Sequence, residues 1–511
     1  MLRAVAPNRS TSTLPYRVHL HIGGETRATS QGGSYEREDP SDTRQIVTVA
    51  DEGSVEEMRE AIAAARRVFD GDPARWRDNT ALRRRVLIGT AAAIRANAEP
   101  LAEMVSREVG MPIRQARPHV AASADVFDFY AGYVGKTYGE TMQLPNGSLI
   151  SLLREPVGVV GMIVPWNFPL TQAARKLAPA LGVGCTAIVK PSPYTCASTF
   201  ELVRFLEQAG APAGVVNFVP GARPEIGGEL AAHRDVDKLS FTGSTRVGVV
   251  VQQAAAASMK RVSLELGGKN PFLLFADADL DAAANSLVFG MFRNSGQACG
   301  SVSRLLVQRT VHRAFVDKVT AIVARLRIGA PRDPGIALGP VVSAPQEKVI
   351  LGYLERARAA GQQILCGGVK LDGTEHAHGY FIPPTIVDDV APDSELAQHE
   401  VFGPVLSVLP FRDDEEAVAL ANGTPYGLTT AIWTGDGARA LRIGRAVKAG
   451  TIWLNDTYEQ NPEGIWGGFG MSGTGRELGP HGLADMTEVK EIYTDGTGLK
   501  MKSHYGQVLD G

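Results

Sequence analysis

The sequence predicts an α/β protein made of two doubly wound, parallel-sheet (Rossmann-like) domains plus a small β arm. Three observations predict it. Short apolar runs without alternation, the mark of strands buried on both faces, alternate with helical stretches from residue 155 onward. A second alternating segment runs from about residue 271 to 455. Residues 141–153 carry Pro145-Asn146-Gly147 between short apolar stretches, a hairpin signal that departs from the helical run before it. A chain of 511 residues also exceeds one compact core, so two or three domains are expected.

The elements follow in order. Residues 1–20 hold Arg3, Arg9 and Arg17 with Ser10 and Thr11, a faint transit-peptide composition without a secretory apolar core. They are expected to be a disordered or loosely packed extension. Ser54 and Glu57 form a capping-box pattern ahead of Met58, Ile62, Ala65 and Phe69, which share one helical face. Ala-rich helical patterns fill residues 80–137. The apolar run 157–164 then begins the alternation, followed by a helix over about 171–181 and a strand over 186–190. A helix over 197–208, a strand over 215–219 and a strand over 236–241 complete the first sheet. Strands near 304–307, 405–410 and 429–433 build the second, and the tail after Thr487 reads as an edge strand or subunit arm.

Composition narrows the function. Hydrophobic residues at 44% and charged residues at 21% are ordinary for a globular protein. A net charge of −3 gives no electrostatic reason to expect nucleic acid or an anionic membrane, and no apolar run reaches a membrane span. Four scattered cysteines, at 185, 196, 299 and 366, argue against a disulfide framework or a zinc site. The pairs His19/His21 and His376/His378 lack partnering ligands nearby in sequence, so no metal is expected. A cytoplasmic enzyme is the expectation.

The chemistry centres on Cys299, in Phe292-Arg293-Asn294-Ser295-Gly296-Gln297-Ala298-Cys299, with Glu265 preceding it in Glu265-Leu266-Gly267-Gly268-Lys269-Asn270-Pro271. A thiolate is a strong nucleophile and a nearby carboxylate can take a proton from it or from water. Gln297-Ala298-Cys299 also resembles the caspase signature, but Ser301 stands where that signature has Gly, and His233 is 66 residues upstream rather than about 50. Gly243-Ser244-Thr245-Arg246-Val247-Gly248 follows a strand and opens a helix, which suits either a phosphate or an ordinary turn. Lys190 ends an apolar strand, where it either reaches a ribose or phosphate oxygen or is solvated. Asn167, after a buried strand, is an oxyanion donor or a helix N-cap. Glu400 sits before a Phe-Gly-Pro turn and is not placed by its neighbours.

Together these motifs resemble the aldehyde dehydrogenase superfamily. The succession is Pro165-Trp166-Asn167-Phe168-Pro169, Phe241-Thr242-Gly243-Ser244-Thr245, the Glu265 and Cys299 segments, and Glu400-Val401-Phe402-Gly403-Pro404, over about residues 20–495. Asn422 through Leu428, Trp466-Gly467-Gly468-Phe469 and the segment from Ser472 to Glu477 continue the match. The resemblance implies that Cys299 attacks an aldehyde to give a thiohemiacetal, its oxyanion held by the Asn167 amide and the Cys299 N–H. Hydride transfer to NAD(P)+ then leaves a thioester, which Glu265 helps water to hydrolyse. A proton relay maps onto Lys176 and Glu488. The cofactor would lie against Trp166, Lys190, Ser192, Gly227, Gly243, Ser244 and Gly248, with Leu266, Glu400 and Phe402 near the nicotinamide half.

The same resemblance assigns residues 21–140 and 156–270 to an NAD(P)-binding domain, 271–470 to a catalytic domain, and 141–155 with 487–511 to an oligomerisation arm of a homodimer or homotetramer. Pro193 stands where NAD-preferring members carry a ribose-binding Glu, so NAD is expected with NADP possible, and Arg246 is a candidate attractor for a 2′-phosphate. Two alternatives stand: a CoA-acylating semialdehyde dehydrogenase, which would share fold and cysteine but usually lacks the glutamate present here at 265, and, in a different class, a cysteine hydrolase. Trp466, just before Gly467-Gly468, resembles the pattern of betaine-aldehyde and aminoaldehyde enzymes as well as of broad-specificity members. With Trp453 and Tyr458 it suggests an aromatic wall for a cation or an apolar tail, with one of the two indoles expected in core packing.

Overall fold

The computed structural model describes residues 14–30, 32–458 and 461–509. Two large sheets dominate it. The first has eight strands, with a parallel core ordered Arg261–Glu265, Lys238–Thr242, Val159–Ile163, Thr186–Lys190 and Val216–Phe218. Leu20–Ile22 with Glu25–Arg27 on one edge, and Gly473–Thr474 on the other, pair antiparallel. Strand order runs outward in both directions from Val159–Ile163. That strand is therefore the switch point, beyond whose carboxyl end such sheets bind ligands.

The second sheet has seven strands. Thr385–Asp388, Val405–Phe411, Arg304–Gln308, Pro271–Leu274, Thr429–Trp433 and Thr451–Leu454 are parallel, and Gln363–Cys366 closes one edge antiparallel. These strands read as unbroken apolar runs because helices cover both faces. The helix Pro169–Val183 is buried along its whole length. The chain passes from the carboxyl end of Arg261–Glu265 through five residues into the amino end of Pro271–Leu274. Residues 266–270 thus bridge the two sheets, and the loop before Arg304–Gln308 lies at the same junction.

The capping box forms as expected: Ser54 Oγ accepts the Glu57 N–H at 3.1 Å and Glu57 Oε2 accepts the Ser54 N–H at 2.9 Å. The hairpin also forms, as Glu140–Gln143 against Leu149–Pro156, and Thr487–Thr494 adds a third antiparallel strand. Met142, Leu149, Leu153, Val489, Ile492 and Tyr493 are exposed on this arm.

The expectation of a loose extension over 1–20 is corrected for its described part. Tyr16–Val18 pairs in parallel with the strand Asp42–Asp51, and Tyr16, Val18 and Leu20 are buried. Apolar alternation this short is outweighed in sequence by the surrounding arginines and serines. Residues 1–13 lie outside the described residues. Among the described residues no helix is long and apolar enough to cross a membrane.

Candidate active site

Cys299 sits on a loop held in a shape that its own backbone would not choose. Asn294, Ser295 and Gly296 are consecutive left-handed residues, with φ of 49°, 55° and 73°. Each such non-glycine residue costs about 1–3 kcal/mol and persists only where its surroundings fix it. Here they do. Asn294 Nδ2 donates to the Asn167 carbonyl at 3.0 Å, and Ser295 Oγ donates to Gly339 O at 2.7 Å. Gln297 Oε1 accepts the Val342 N–H at 2.8 Å, and Asn270 Nδ2 donates to Cys299 O at 2.7 Å and Ser301 O at 2.9 Å.

Asn167 lies directly beyond the switch-point strand and is buried. Its Nδ2 donates to Gln297 O at 3.1 Å, which leaves the second amide hydrogen for another acceptor. It is not the helix N-cap, a position held by Phe168.

Glu265 ends the strand Arg261–Glu265, fully enclosed, with neither carboxylate oxygen hydrogen-bonded. Burial, then the nearby Glu477 carboxylate, push its pKa well above the usual carboxylate range, against the pull of Lys176, Arg175 and Arg476. Gly467 explains how it fits: a Cβ there would lie 2.9 Å from Glu265 Oε1. The Cys299 thiol is pushed up to about 12, chiefly by burial, then by the Glu400 and Glu265 carboxylates around the lowering field of Arg175.

The relay mapped onto Lys176 and Glu488 is corrected. Lys176 is fully buried and its ammonium pairs with Glu477, with a second bond to Ser240 Oγ at 3.0 Å. Glu488 lies on the exposed arm strand, 52% accessible, 3.3 Å from Arg261. The two acids, Glu477 and Glu488, are eleven residues apart in the tail, and Glu477 lies in an antiparallel bridge with Trp466.

The remaining cofactor candidates cluster beyond the carboxyl ends of the first sheet. Lys190 is the last residue of its strand, and burial lowers its pKa. Ser244 caps the helix Thr245–Ala256, its side chain accepting the Val247 N–H. A Cβ at Gly243 would meet the Phe241 ring at 2.6 Å, and one at Gly248 would meet Leu266 at 2.6 Å, so both glycines are needed for this cradle. The first-turn N–H groups above it suit a pyrophosphate. Ser192 accepts the Tyr194 N–H at 3.3 Å, and Gly227 lies on the helix Pro224–Ala232, where an added Cβ would meet Ile163 at 3.9 Å. Trp166 packs edge-on against Phe402 at 5.4 Å and Tyr194 at 6.4 Å. Glu400 accepts the Gly268 N–H at 3.1 Å, and its other oxygen occupies the space a Gly267 Cβ would need; burial raises its pKa to about 7. Arg246 is exposed.

On the opposite side Cys299 opens into a cavity of about 560 Å³. Trp466 and Tyr458 line it, whereas Trp453 stacks behind Tyr458 at 5.9 Å as core packing. Residues that the sequence did not single out complete the site. His119, driven down to about 3 by burial, accepts the Leu170 N–H and lines the cavity as a neutral ring. Arg175 and Arg293 line it too. Asn270 and Glu477 stood inside quoted motifs, and Arg293 stood six residues before Cys299, so the signal was present without its meaning. Among the described residues no group of three His, Cys, Asp or Glu is placed to hold a metal. His19 is bonded to Asp51, and His376 packs on Phe381.

The chain is similar to known proteins over nearly its whole length. The model of the aldehyde dehydrogenase family matches residues 27–492. The chain is 39% identical to a betaine aldehyde dehydrogenase of Bacillus subtilis over 89% of this chain and 92% of that one. It superposes on a putative aldehyde dehydrogenase of Burkholderia cenocepacia with a TM-score of 0.92 at 39% identity, covering 95% and 99% of the two chains. An aldehyde dehydrogenase of Bacillus cereus solved as its NAD+ complex gives 0.91 at 35% identity, covering 94% and 96%.

Proposed function

The chain belongs to the aldehyde dehydrogenase family, and from that premise we propose how its side chains oxidise an aldehyde to a carboxylic acid with NAD. Cys299 is the nucleophile. Its thiol gives its proton to the ionised Glu265 carboxylate as the sulfur bonds to the aldehyde carbon, and the resulting oxyanion is met by the free hydrogen of Asn167 Nδ2 and by the Cys299 N–H. Both donors belong to one rigid unit, because Asn167 is bonded to Gln297 O within the cysteine loop. That bond is the observation that carries the assignment, since oxyanion stabilisation depends on donors fixed in advance.

Lys190, Ser192, Gly243, Ser244 and Gly248 hold the dinucleotide, with Trp166, Gly227, Leu266, Glu400 and Phe402 along its length. Bound there, the nicotinamide supplies the hydride acceptor. In its ionised form Glu265 takes the proton of the water that hydrolyses the Cys299 thioester, a role suited to a carboxyl whose oxygens have no other partner, and its raised pKa makes that step faster as pH rises. Lys176 and Glu477 form the buried charge pair behind it and carry that proton away.

Pro193 leaves no carboxylate to exclude a 2′-phosphate, so NADP is accepted as a second cofactor. The exposed apolar side chains of the three-stranded arm support a homodimer or homotetramer joined there. Four free thiols support a reducing compartment such as the cytoplasm. A panel of aldehydes assayed with NAD and NADP, in the native protein and in Cys299→Ala, tests the reading. Nicotinamide reduction that depends on Cys299 supports it; reduction that survives in Cys299→Ala refutes it.

A further inference from the structure

We propose that the proton taken up at Glu265 leaves for solvent along a polar column inside the first sheet, from Lys176 through Ser240 and Ser263 to Asp485. The proposal rests on Glu265 being the base of the hydrolysis, and it extends the Lys176–Glu477 pair to the surface.

The two strands that carry the column break the apolar pattern of their sheet. Lys238–Thr242 reads Lys-Leu-Ser-Phe-Thr and Arg261–Glu265 reads Arg-Val-Ser-Leu-Glu. Such alternation normally marks a strand with one face in water, yet all five residues of Lys238–Thr242 are buried. Leu239, Phe241 and Leu264 pack into an apolar core on one face. The other face holds Lys238, Ser240 and Thr242 beside Arg261, Ser263 and Glu265, pair by pair in register. The protein thus encloses a polar face, and hydrogen bonds run along it.

Lys176, on the helix Pro169–Val183, pairs with Glu477 and donates to Ser240 Oγ at 3.0 Å. One strand spacing, about 4.8 Å, separates Ser240 from its register partner Ser263, a gap that one bridging water spans. Ser263 Oγ donates to Asp485 Oδ2 at 2.5 Å and accepts from Lys238 Nζ at 2.6 Å. Lys238 also holds Asp485 itself, at 2.9 Å. Asp485 ends the column: its side chain is 23% exposed, whereas Lys176, Ser240, Lys238 and Ser263 are buried.

The reaction needs such a route. Glu265 takes one proton from the Cys299 thiol and a second from the hydrolytic water, so it must discharge the first before it accepts the second. It is enclosed, its oxygens have no hydrogen-bond partner, and Glu477 is its strongest charged neighbour. The proton passes from Glu265 to Glu477 and refills Lys176 as Lys176 gives one to Ser240. Each serine accepts a proton on its oxygen and gives up the one it held, and Asp485 releases the last to water. The C–S bond of the thioester breaks with its electron pair on sulfur, and the product acid reprotonates that thiolate. Each turnover therefore exports two protons, and every group of the column ends as it began.

The test mixes native protein, Ser263→Ala, Asp485→Asn and Asp485→Glu with NAD and propanal, or the fastest aldehyde of the panel, and quenches in acid over time. Mass spectrometry follows the acyl group on the Cys299 peptide. The acyl mass is expected to form at the native rate in every variant but to leave at least about tenfold more slowly in Ser263→Ala and Asp485→Asn. Asp485→Glu is expected to recover most of the rate. Added imidazole is expected to speed acyl loss in Asp485→Asn and not in the native protein, which a merely structural defect would not do. Where Asp485→Asn does not fold, Ser263→Ala decides: slowed acyl loss supports the column and native loss refutes it. A native rate of loss in both variants, or a slowing that neither imidazole nor Asp485→Glu relieves, overturns the proposal. An acyl mass that never forms on Cys299 in the native protein overturns the nucleophile assignment, and the column with it, at a step the variants do not touch.

Discussion

Asn270 donates its side-chain amide to the carbonyl oxygen of Cys299 at 2.7 Å, while its Oδ1 accepts the Thr429 N–H at 3.0 Å. One side chain between the two sheets therefore anchors the nucleophile to the second sheet. Asn270→Ala removes three bonds and leaves buried backbone groups unpaired, a loss of about 1–3 kcal/mol for each group that finds no water. The expected outcome is a fall in kcat of at least tenfold together with a lower melting temperature. A lower melting temperature with kcat unchanged would reduce Asn270 to a packing role.

Lys176 and Glu477 are both buried and paired. Lys176→Met leaves the Glu477 charge uncompensated beside Glu265, and removing one partner of a buried pair typically costs about 3–5 kcal/mol. The double change Lys176→Met with Glu477→Leu is expected to cost less than the sum of the single changes. Glu488→Gln, on the exposed strand, is expected to leave melting temperature and turnover as they were. Chemical denaturation of the four variants checks the coupling, and a loss of turnover in Glu488→Gln at unchanged stability would restore that residue to the relay.

Glu265 has a folded pKa well above its ordinary value of 4.5. Above pH 4.5 the unfolded chain ionises this group while the folded protein keeps it protonated, so the folded state binds more protons and stability falls as pH rises through that window. Glu265→Gln removes the titration. The variant is expected to melt higher than the native protein at neutral pH, by a margin that grows from pH 5 upward, while losing turnover. A melting temperature equal to native across that range would contradict the buried, unpaired carboxyl.

The Cys299 thiol, raised to about 12 from its ordinary 9, is expected to react sluggishly with iodoacetamide in the cofactor-free protein. The alkylation rate should climb from pH 7 to pH 10 without a plateau, followed by peptide mass spectrometry at Cys299. A plateau below pH 8 would show a thiolate already formed.

Pro193→Glu places a carboxylate at the position proposed to face the adenine ribose. It is expected to lower the ratio of kcat/KM for NADP to that for NAD by about tenfold or more through repulsion of the 2′-phosphate. An unchanged ratio would move cofactor choice elsewhere, with Arg246 the next candidate.

Several parallel strands were legible in sequence because they are short, largely apolar runs, and strands over 186–190 and 429–433 form within those bounds, whereas Arg261–Glu265, with Arg, Ser and Glu in five residues, was not. Cys299, Glu265 and Asn167 stand out in sequence because each sits in a dense local motif. The acid paired with Lys176 does not. Glu477 and Glu488 both lie in the polar tail, and their sequence neighbours do not say which strand faces Lys176. The cavity arginines were hidden for a related reason. Arg293 gains its meaning from Phe168 and Tyr458, which lie 125 residues before it and 165 after it in the chain and meet it only once the two sheets are joined.

The central claim is that Cys299 carries the acyl group and Glu265 releases it. Glu265→Gln, mixed with aldehyde and NAD and quenched in acid, tests it most directly. The expected result is a burst of reduced nicotinamide approaching one equivalent per active site, with the acyl mass added on the peptide containing Cys299. Full turnover with no burst, or an acyl mass on Cys185, Cys196 or Cys366 instead, would contradict it.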